Sequence, residues 1–82
     1  NGELIFKDDR LYDLLKELEK MHNVRFHLKD ENIGEFRFRG MFSYNNNLIE
    51  SLEKIKKTSG IDYYIKNKEV WLKKNDIDYQ VD

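Results

Sequence analysis

The stretch LYDLLKELEKMHNVRFHL, residues 11–28, decides the fold, because it recurs in outline as LIESLEKIKKTSGIDYYI, residues 48–65, at a constant offset of 37. Apolar residues coincide at Leu11/Leu48, Tyr12/Ile49, Leu15/Leu52, Leu18/Ile55, Val24/Ile61, Phe26/Tyr63 and Leu28/Ile65. Asn23 falls on Gly60, and both residue types tolerate the left-handed conformation that ends a helix. One residue out of register, Phe6 matches Phe42 on the segment leading in. Leu14/Ser51 and Met21/Thr58 do not match, so the copies have diverged or share only an architecture. Two such units cannot build a solenoid; they predict a pseudo-symmetric domain.

Within each copy the hydrophobic period changes. Leu11, Leu14, Leu15, Leu18 and Met21 recur at helical spacing, with Asp8 or Asp9 available as N-cap. Val24, Phe26 and Leu28 then alternate with Arg25 and His27, the pattern of a half-buried strand. In the second copy Leu48, Ile49, Leu52 and Ile55 form the helical stripe, capped from Asn45-Asn46-Asn47. Glu50–Lys54 and Glu53–Lys57 stand at i,i+4 in the favourable orientation on its wet side. Between the copies, Phe36, Phe38 and Phe42 are expected to face inward and Arg37 and Arg39 outward. The polar link 29–34 reads as a loop.

The predicted order is strand 3–7, helix 10–22, strand 24–28, strand 35–43, helix 47–58, strand 61–66 and strand 69–74. This is an α+β fold of two tandem βαβ units, β-α-β-β-α-β-β, with both helices packed on small mixed sheets. Each strand–helix–strand crossover is expected to be right-handed. A two-residue turn at Asn67-Lys68 would set Lys66 opposite Glu69, Ile65 opposite Val70, Tyr64 opposite Trp71, Tyr63 opposite Leu72 and Asp62 opposite Lys73. Lys68 is a mediocre residue for a turn that wants positive φ, so a longer loop would shift this register. One domain is expected over 1–82, with repeat units at about 3–28 and 36–66, a closing strand 69–74 and a tail 75–82. The tail alternates strictly from Asp76 to Asp82, in keeping with one more strand, a frayed end or part of a fold that continues.

Eighty-two residues suffice for one domain, which at this size buries only about 60% of its unfolded surface. The core is therefore thin, and a partner would add to it. Fifteen basic and 16 acidic side chains leave a net charge of −1, so no overall field attracts nucleic acid or an anionic membrane. Without cysteine, disulfides, thiolate chemistry and cysteine-ligated zinc are excluded. No apolar run approaches the roughly 18 residues of a membrane span, and no signal peptide is visible. The chain opens Asn1-Gly2-Glu3 without methionine, as a piece of a longer protein would.

Catalytic chemistry finds no support. His22 and His27 are the only histidines, and neither has a partner at metal-ligand spacing. Ser43, Ser51 and Ser59 lack the glycines of a nucleophile elbow, and Gly2, Gly34, Gly40 and Gly60 are too scattered to cradle phosphate. Asp8-Asp9 is accounted for by a helix start. Asp30-Glu31 and Asp76, Asp78 and Asp82 lack a calcium-loop pattern. No catalytic residue, cofactor or metal ligand is assigned.

The strand order also suggests the RNA-recognition fold, and Arg37-Phe38-Arg39-Gly40-Met41-Phe42-Ser43-Tyr44 has the outline of its central strand. Met41 and Ser43 stand where that strand needs aromatic or small apolar residues, and Phe38 and Phe42 have a competing use in covering the helices. Outward aromatics carry more information. Tyr64 and Trp71 are either a plain cross-strand pair or a contact surface, since Trp and Tyr are enriched where proteins meet. Tyr64, Trp71, Arg37 and Arg39 are the partner-binding candidates.

The ordered pattern of residues 2–74 resembles the C-terminal domain of FecR-type anti-sigma factors. Carrying the likeness are Gly2-Glu3-Leu4-Ile5-Phe6, Leu11-Tyr12-Asp13-Leu14-Leu15 and Val24-Arg25-Phe26. The second half continues it with Phe38-Arg39-Gly40-Met41-Phe42, Leu48-Ile49-Glu50-Ser51-Leu52, Gly60-Ile61-Asp62-Tyr63 and Val70-Trp71-Leu72. Arg10 departs from the proline often found there in the family, which leaves the fold intact because a proline at a helix start is a convenience. The chain is also similar to the short N-terminal module of secretins and TonB-dependent receptors.

The resemblance implies a periplasmic, protein-binding sensor at the C-terminal end of a membrane-tethered regulator. Its partner would be the signalling domain of a TonB-dependent outer-membrane transducer. An extracytoplasmic-function sigma factor would be held by another part of the parent protein. The alternatives are the signalling domain of a TonB-dependent receptor or secretin itself and, lower, a single-stranded RNA-binding domain.

Overall fold

The computed structural model describes residues 2–74. In chain order it contains β1 (Glu3–Arg10), α1 (Leu11–His22), β2 (Arg25–Leu28), a 3-10 helix (Glu31–Glu35), β3 (Arg37–Ser43), α2 (Leu48–Ser59), β4 (Ile61–Lys66) and β5 (Glu69–Lys74). The fold is α+β, as the periodicities predict. The tail 75–82, with its possible extra strand, lies outside the described residues. Both helices are 12 residues long and end on a left-handed residue, Asn23 at φ 56° and Gly60 at φ 79°.

The strands form two sheets. β1 and β3 pair antiparallel, while β5 lies between β2, its parallel neighbour, and β4, its antiparallel one. Each strand–helix–strand unit therefore gives its first strand to one sheet and its second to the other. The handedness expected of the crossovers is a rule for parallel strands of one sheet and has no bearing here, because each helix bridges two sheets. Side-chain packing accounts for the exchange. Phe6 of β1 meets Phe42 of β3 edge-on at 5.9 Å, and Phe38 stacks on Phe42 at 5.7 Å. This phenylalanine cluster joins Leu11, Leu14, Leu15 and Leu18 of α1 and Leu52 and Ile55 of α2 in one core. Ile61, Val70 and Leu72 close it from the second sheet.

Several local expectations are corrected. β1 continues to Arg10, so neither Asp8 nor Asp9 caps α1, whose N-cap position is Arg10 without a side-chain cap. Asp9 Oδ1 instead accepts from the Lys7 and Asp8 amides at 3.0 and 3.4 Å, where the β1–β3 register slips between Phe6 and Asp9. The Leu11 amide donates to the Phe36 carbonyl at 2.7 Å. That bond holds Phe36 ahead of β3, where the residue is 38% exposed and not turned inward. The expected loop 29–34 holds a 3-10 turn that buries Ile33. Gly34 lets the turn pack closely there: a Cβ would meet Leu28 Cδ1 at 3.1 Å, a tight contact the leucine would have to yield to, and Tyr12 Cβ at 3.5 Å.

On α2, Asn47 is the cap. Its side chain accepts from the Glu50 amide, and Glu50 accepts from the Asn47 amide, both at 2.8 Å, a reciprocal capping box. Glu50 is thereby engaged, Lys54 donates to the Met41 carbonyl, and Glu53 accepts from the Tyr63 hydroxyl. The expected Glu50–Lys54 and Glu53–Lys57 pairs are displaced by these contacts. The β4–β5 hairpin has the predicted register, from Lys66 opposite Glu69 to Asp62 opposite Lys73. Of its two turn residues only Asn67 takes positive φ, 60°, so Lys68 carries no strain.

Phe42→Ala removes a fully buried ring and should cost about 3–5 kcal/mol. A chain of this length is expected to have only about 4–12 kcal/mol in all. Urea unfolding should show a collapsed midpoint or no cooperative transition. Exposed Ile49→Ala should stay within about 0.5 kcal/mol of the parent. Equal losses for the two would contradict the assigned core.

Candidate protein-interaction surface

Alternation along the three strands of the larger sheet sends one set of side chains to the helices and the other to the outer face. β2 contributes Arg25 and His27 to the outer face, with Lys29 just beyond its end. β5 contributes Glu69, Trp71 and Lys73, and β4 contributes Lys66, Tyr64 and Asp62. The registers set these in three rows: Arg25–Glu69–Lys66, His27–Trp71–Tyr64, and then Lys73–Asp62 beside Lys29.

The middle row is a continuous aromatic strip. His27 stacks on Trp71 with ring centroids 5.0 Å apart and planes inclined by 23°. Tyr64 lies 5.9 Å from Trp71 at 47° and is 62% exposed. Glu69 Oε1 is hydrogen-bonded to His27 Nε2, which fixes the ring that supports the indole. Asp62 is paired with Lys56 of α2 at 3.5 Å. The two carboxylates of the face are thus directed away from the cross-strand pairs expected for them. Beside the strip an open groove of about 550 Å³ is lined by Lys29, Tyr63, Tyr64, Lys66, Trp71 and Lys73.

Tyr64 and Trp71 are therefore brought together, whereas Arg37 and Arg39 lie on β3 in the other sheet. Arg37 Nη1 donates to the Asp8 carbonyl at 2.8 Å, across the irregularity in β1. Outward on that sheet, Ile5 and Met41 face each other and are both exposed. Phe38 and Phe42 are buried in the core, so the rings that gave β3 its likeness to an RNA-binding strand are not available to stack on bases. Sequence reasoning missed His27 and the lysines of the groove. Their alternation placed them on a polar strand face; what it lacked was the parallel partner that joins that face to Trp71.

Strand edges add to the surface. Among the described residues β4 pairs with β5 alone, leaving its outer edge open. The outer edge of β2 is partly closed, because the Glu19 carboxylate accepts from the Phe26 amide at 2.8 Å.

The remaining polar clusters are structural. His22 Nε2 and Ser51 Oγ lie 2.9 Å apart and tie the end of α1 to α2. Ser51 is fully buried, beyond the reach of a substrate. Burial pushes the His22 pKa below its ordinary value. The hydrogen bond to Glu53, with burial second, raises the Tyr63 pKa. Among the described residues no three His, Asp or Glu side chains gather to hold a metal, and no helix is long and apolar enough to cross a membrane. Stacking and charge pairing are what this surface can do chemically.

Comparison with known proteins bears on the whole arrangement. The profile of the family described as "FecR, C-terminal" matches residues 3–72. Two crystal structures, at 1.65 and 2.50 Å resolution, of a candidate anti-sigma factor from Parabacteroides distasonis ATCC 8503 share the fold, with TM-scores of 0.79 and 0.78 at 23% identity. In both, the match covers 90% of this chain and 34% of the other, so this chain spans about a third of their length. Among curated protein sequences none matches.

The His22 contact predicts a pH dependence. With its folded pKa below the unfolded value of about 6.5, the unfolded chain takes up the proton first. Stability should be full above that value, fall as pH drops through it, and level off below the folded pKa. His22→Gln should flatten this part of the profile in urea midpoints measured between about pH 7.5 and 5. An unchanged slope in the variant would place the effect elsewhere.

Proposed function

The chain belongs to the FecR C-terminal family, and we propose that it is the periplasmic, protein-binding sensor of a membrane-tethered anti-sigma factor. It relays a signal from the signalling domain of a TonB-dependent outer-membrane transducer to an extracytoplasmic-function sigma factor held by another part of the parent protein. Its role is regulatory, and binding is its only chemistry. The family match over residues 3–72 carries this reading. The pair of exposed Tyr64 and half-buried Trp71 gives it a surface of the composition found at protein interfaces.

In this reading, binding at this sheet changes whether the parent protein releases the sigma factor, with regulated proteolysis as one route. Tyr64 and Trp71 form the principal contact in this proposal; Arg37 and Arg39 form a second, on the other sheet. The open edge of β4 suits a partner that adds a strand. The receptor-side alternative, a signalling domain of a TonB-dependent receptor or secretin, is decided by the flanking gene sequence. A preceding single membrane span supports the anti-sigma reading, and a following plug and barrel supports the other.

Replacing Tyr64 and Trp71 together with serine should weaken binding to the cognate transducer's signalling domain by at least about thirtyfold, the scale of an aromatic hot spot. Isothermal titration would read this, with circular dichroism verifying the fold. Unchanged affinity in a folded variant would remove these residues from the interface.

A further inference from the structure

We propose that the outer face of β2, β5 and β4 receives an acidic peptide segment carrying an aromatic residue, supplied by the protein partner. This rests on the protein-binding reading above and names the chemistry that the partner presents. Arg25, Lys29, Lys66 and Lys73 surround the aromatic strip, and none has a salt-bridge partner among the described residues. Of the two carboxylates on the same face, Asp62 is paired with Lys56 of α2, and Glu69 is bonded to His27 within the face. Four cationic side chains against two carboxylates leave the face locally cationic although the chain carries a net charge of −1.

Shape adds the aromatic requirement. The groove of about 550 Å³ places Lys29, Lys66 and Lys73 around Tyr64 and Trp71, with no carboxylate in its lining. A ring laid against the indole gains stacking, and carboxylates on either side of it reach the lysines. His27 packs against Trp71 at 5.0 Å and is held by Glu69, so the indole is supported before the ligand arrives. A preorganised anchor binds with less ordering cost. A purely apolar ligand would leave the lysines unused, and a basic one would be repelled.

Trp71 is the only tryptophan, so its indole N–H is a single reporter in nitrogen-15 NMR of the 82-residue chain. The probe is a synthetic eight-residue peptide of glutamates flanking a central tyrosine, beside a counterpart with lysine in place of glutamate. The acidic peptide should give a saturable shift of the indole signal and lose at least about tenfold in affinity between roughly 50 and 500 mM salt. The shift should vanish in the Lys66→Glu/Lys73→Glu variant and persist in Arg37→Glu/Arg39→Glu. Equal response to the basic peptide, no saturable shift up to about 5 mM probe (the weak limit of specific recognition), or tighter binding of an oligonucleotide or a uronic acid polymer would overturn the inference. If the transducer's signalling domain binds the lysine-reversed variant as well as the parent, this inference fails while the sensor role stands. If the acidic peptide binds as described and the signalling domain does not, the inference stands and the choice of transducer fails.

Discussion

The fold depends on one long-range pairing, the parallel contact of β2 with β5. The Arg25 amide donates to the Lys68 carbonyl and the Lys29 amide to the Leu72 carbonyl, each at 2.9 Å. These bonds join the last strand of the first unit to the last strand described. A parallel pair cannot close through a tight turn, so everything between must be accommodated on the way. The 3-10 turn, β3, α2 and β4 occupy that interval, and the core fills the space they enclose. The same pairing sets His27 against Trp71. Without it there would be a hairpin bearing two aromatics, and no supported strip.

Local chemistry was legible because it is local. The helical stripes, the left-handed stops at Asn23 and Gly60 and the β4–β5 register each rest on residues within a few positions of one another, and the residues themselves specify them. Partners of the strands in space were not legible, since apolar alternation shows that Phe26 and Phe38 face a core but not which sheet each joins. Capping at α1 misled for a related reason. Asp9 satisfies neighbouring amides in its own strand, a competing use of a short carboxylate, and the β3 lead-in occupies the first helical amide.

The candidate surface divides the same way. Tyr64 and Trp71 were legible because a two-residue turn fixes which residues lie opposite. His27 was not, because it reaches Trp71 only through a pairing 44 residues away. Nor could charge counting reveal the cationic face. Near-neutral composition conceals a face on which Arg25, Lys29, Lys66 and Lys73 outnumber Glu69 and Asp62. The thinness of the core has a bearing here: with two small sheets and two helices, one face of each sheet is spent on the interior. The other is available for contacts at no cost to the fold.

The bond from Glu19 to the Phe26 amide has a further consequence for assembly. A sheet with two receptive edges can grow by repeated addition of copies, and such growth has no natural end. In the three-stranded sheet one margin is plugged by a side chain from its own helix, so an incoming backbone at β2 must first evict a carboxylate. The β4 margin has no such plug among the described residues. The sheet is thus guarded on one side, and the repetition that ends in fibres is denied one of the two edges it needs.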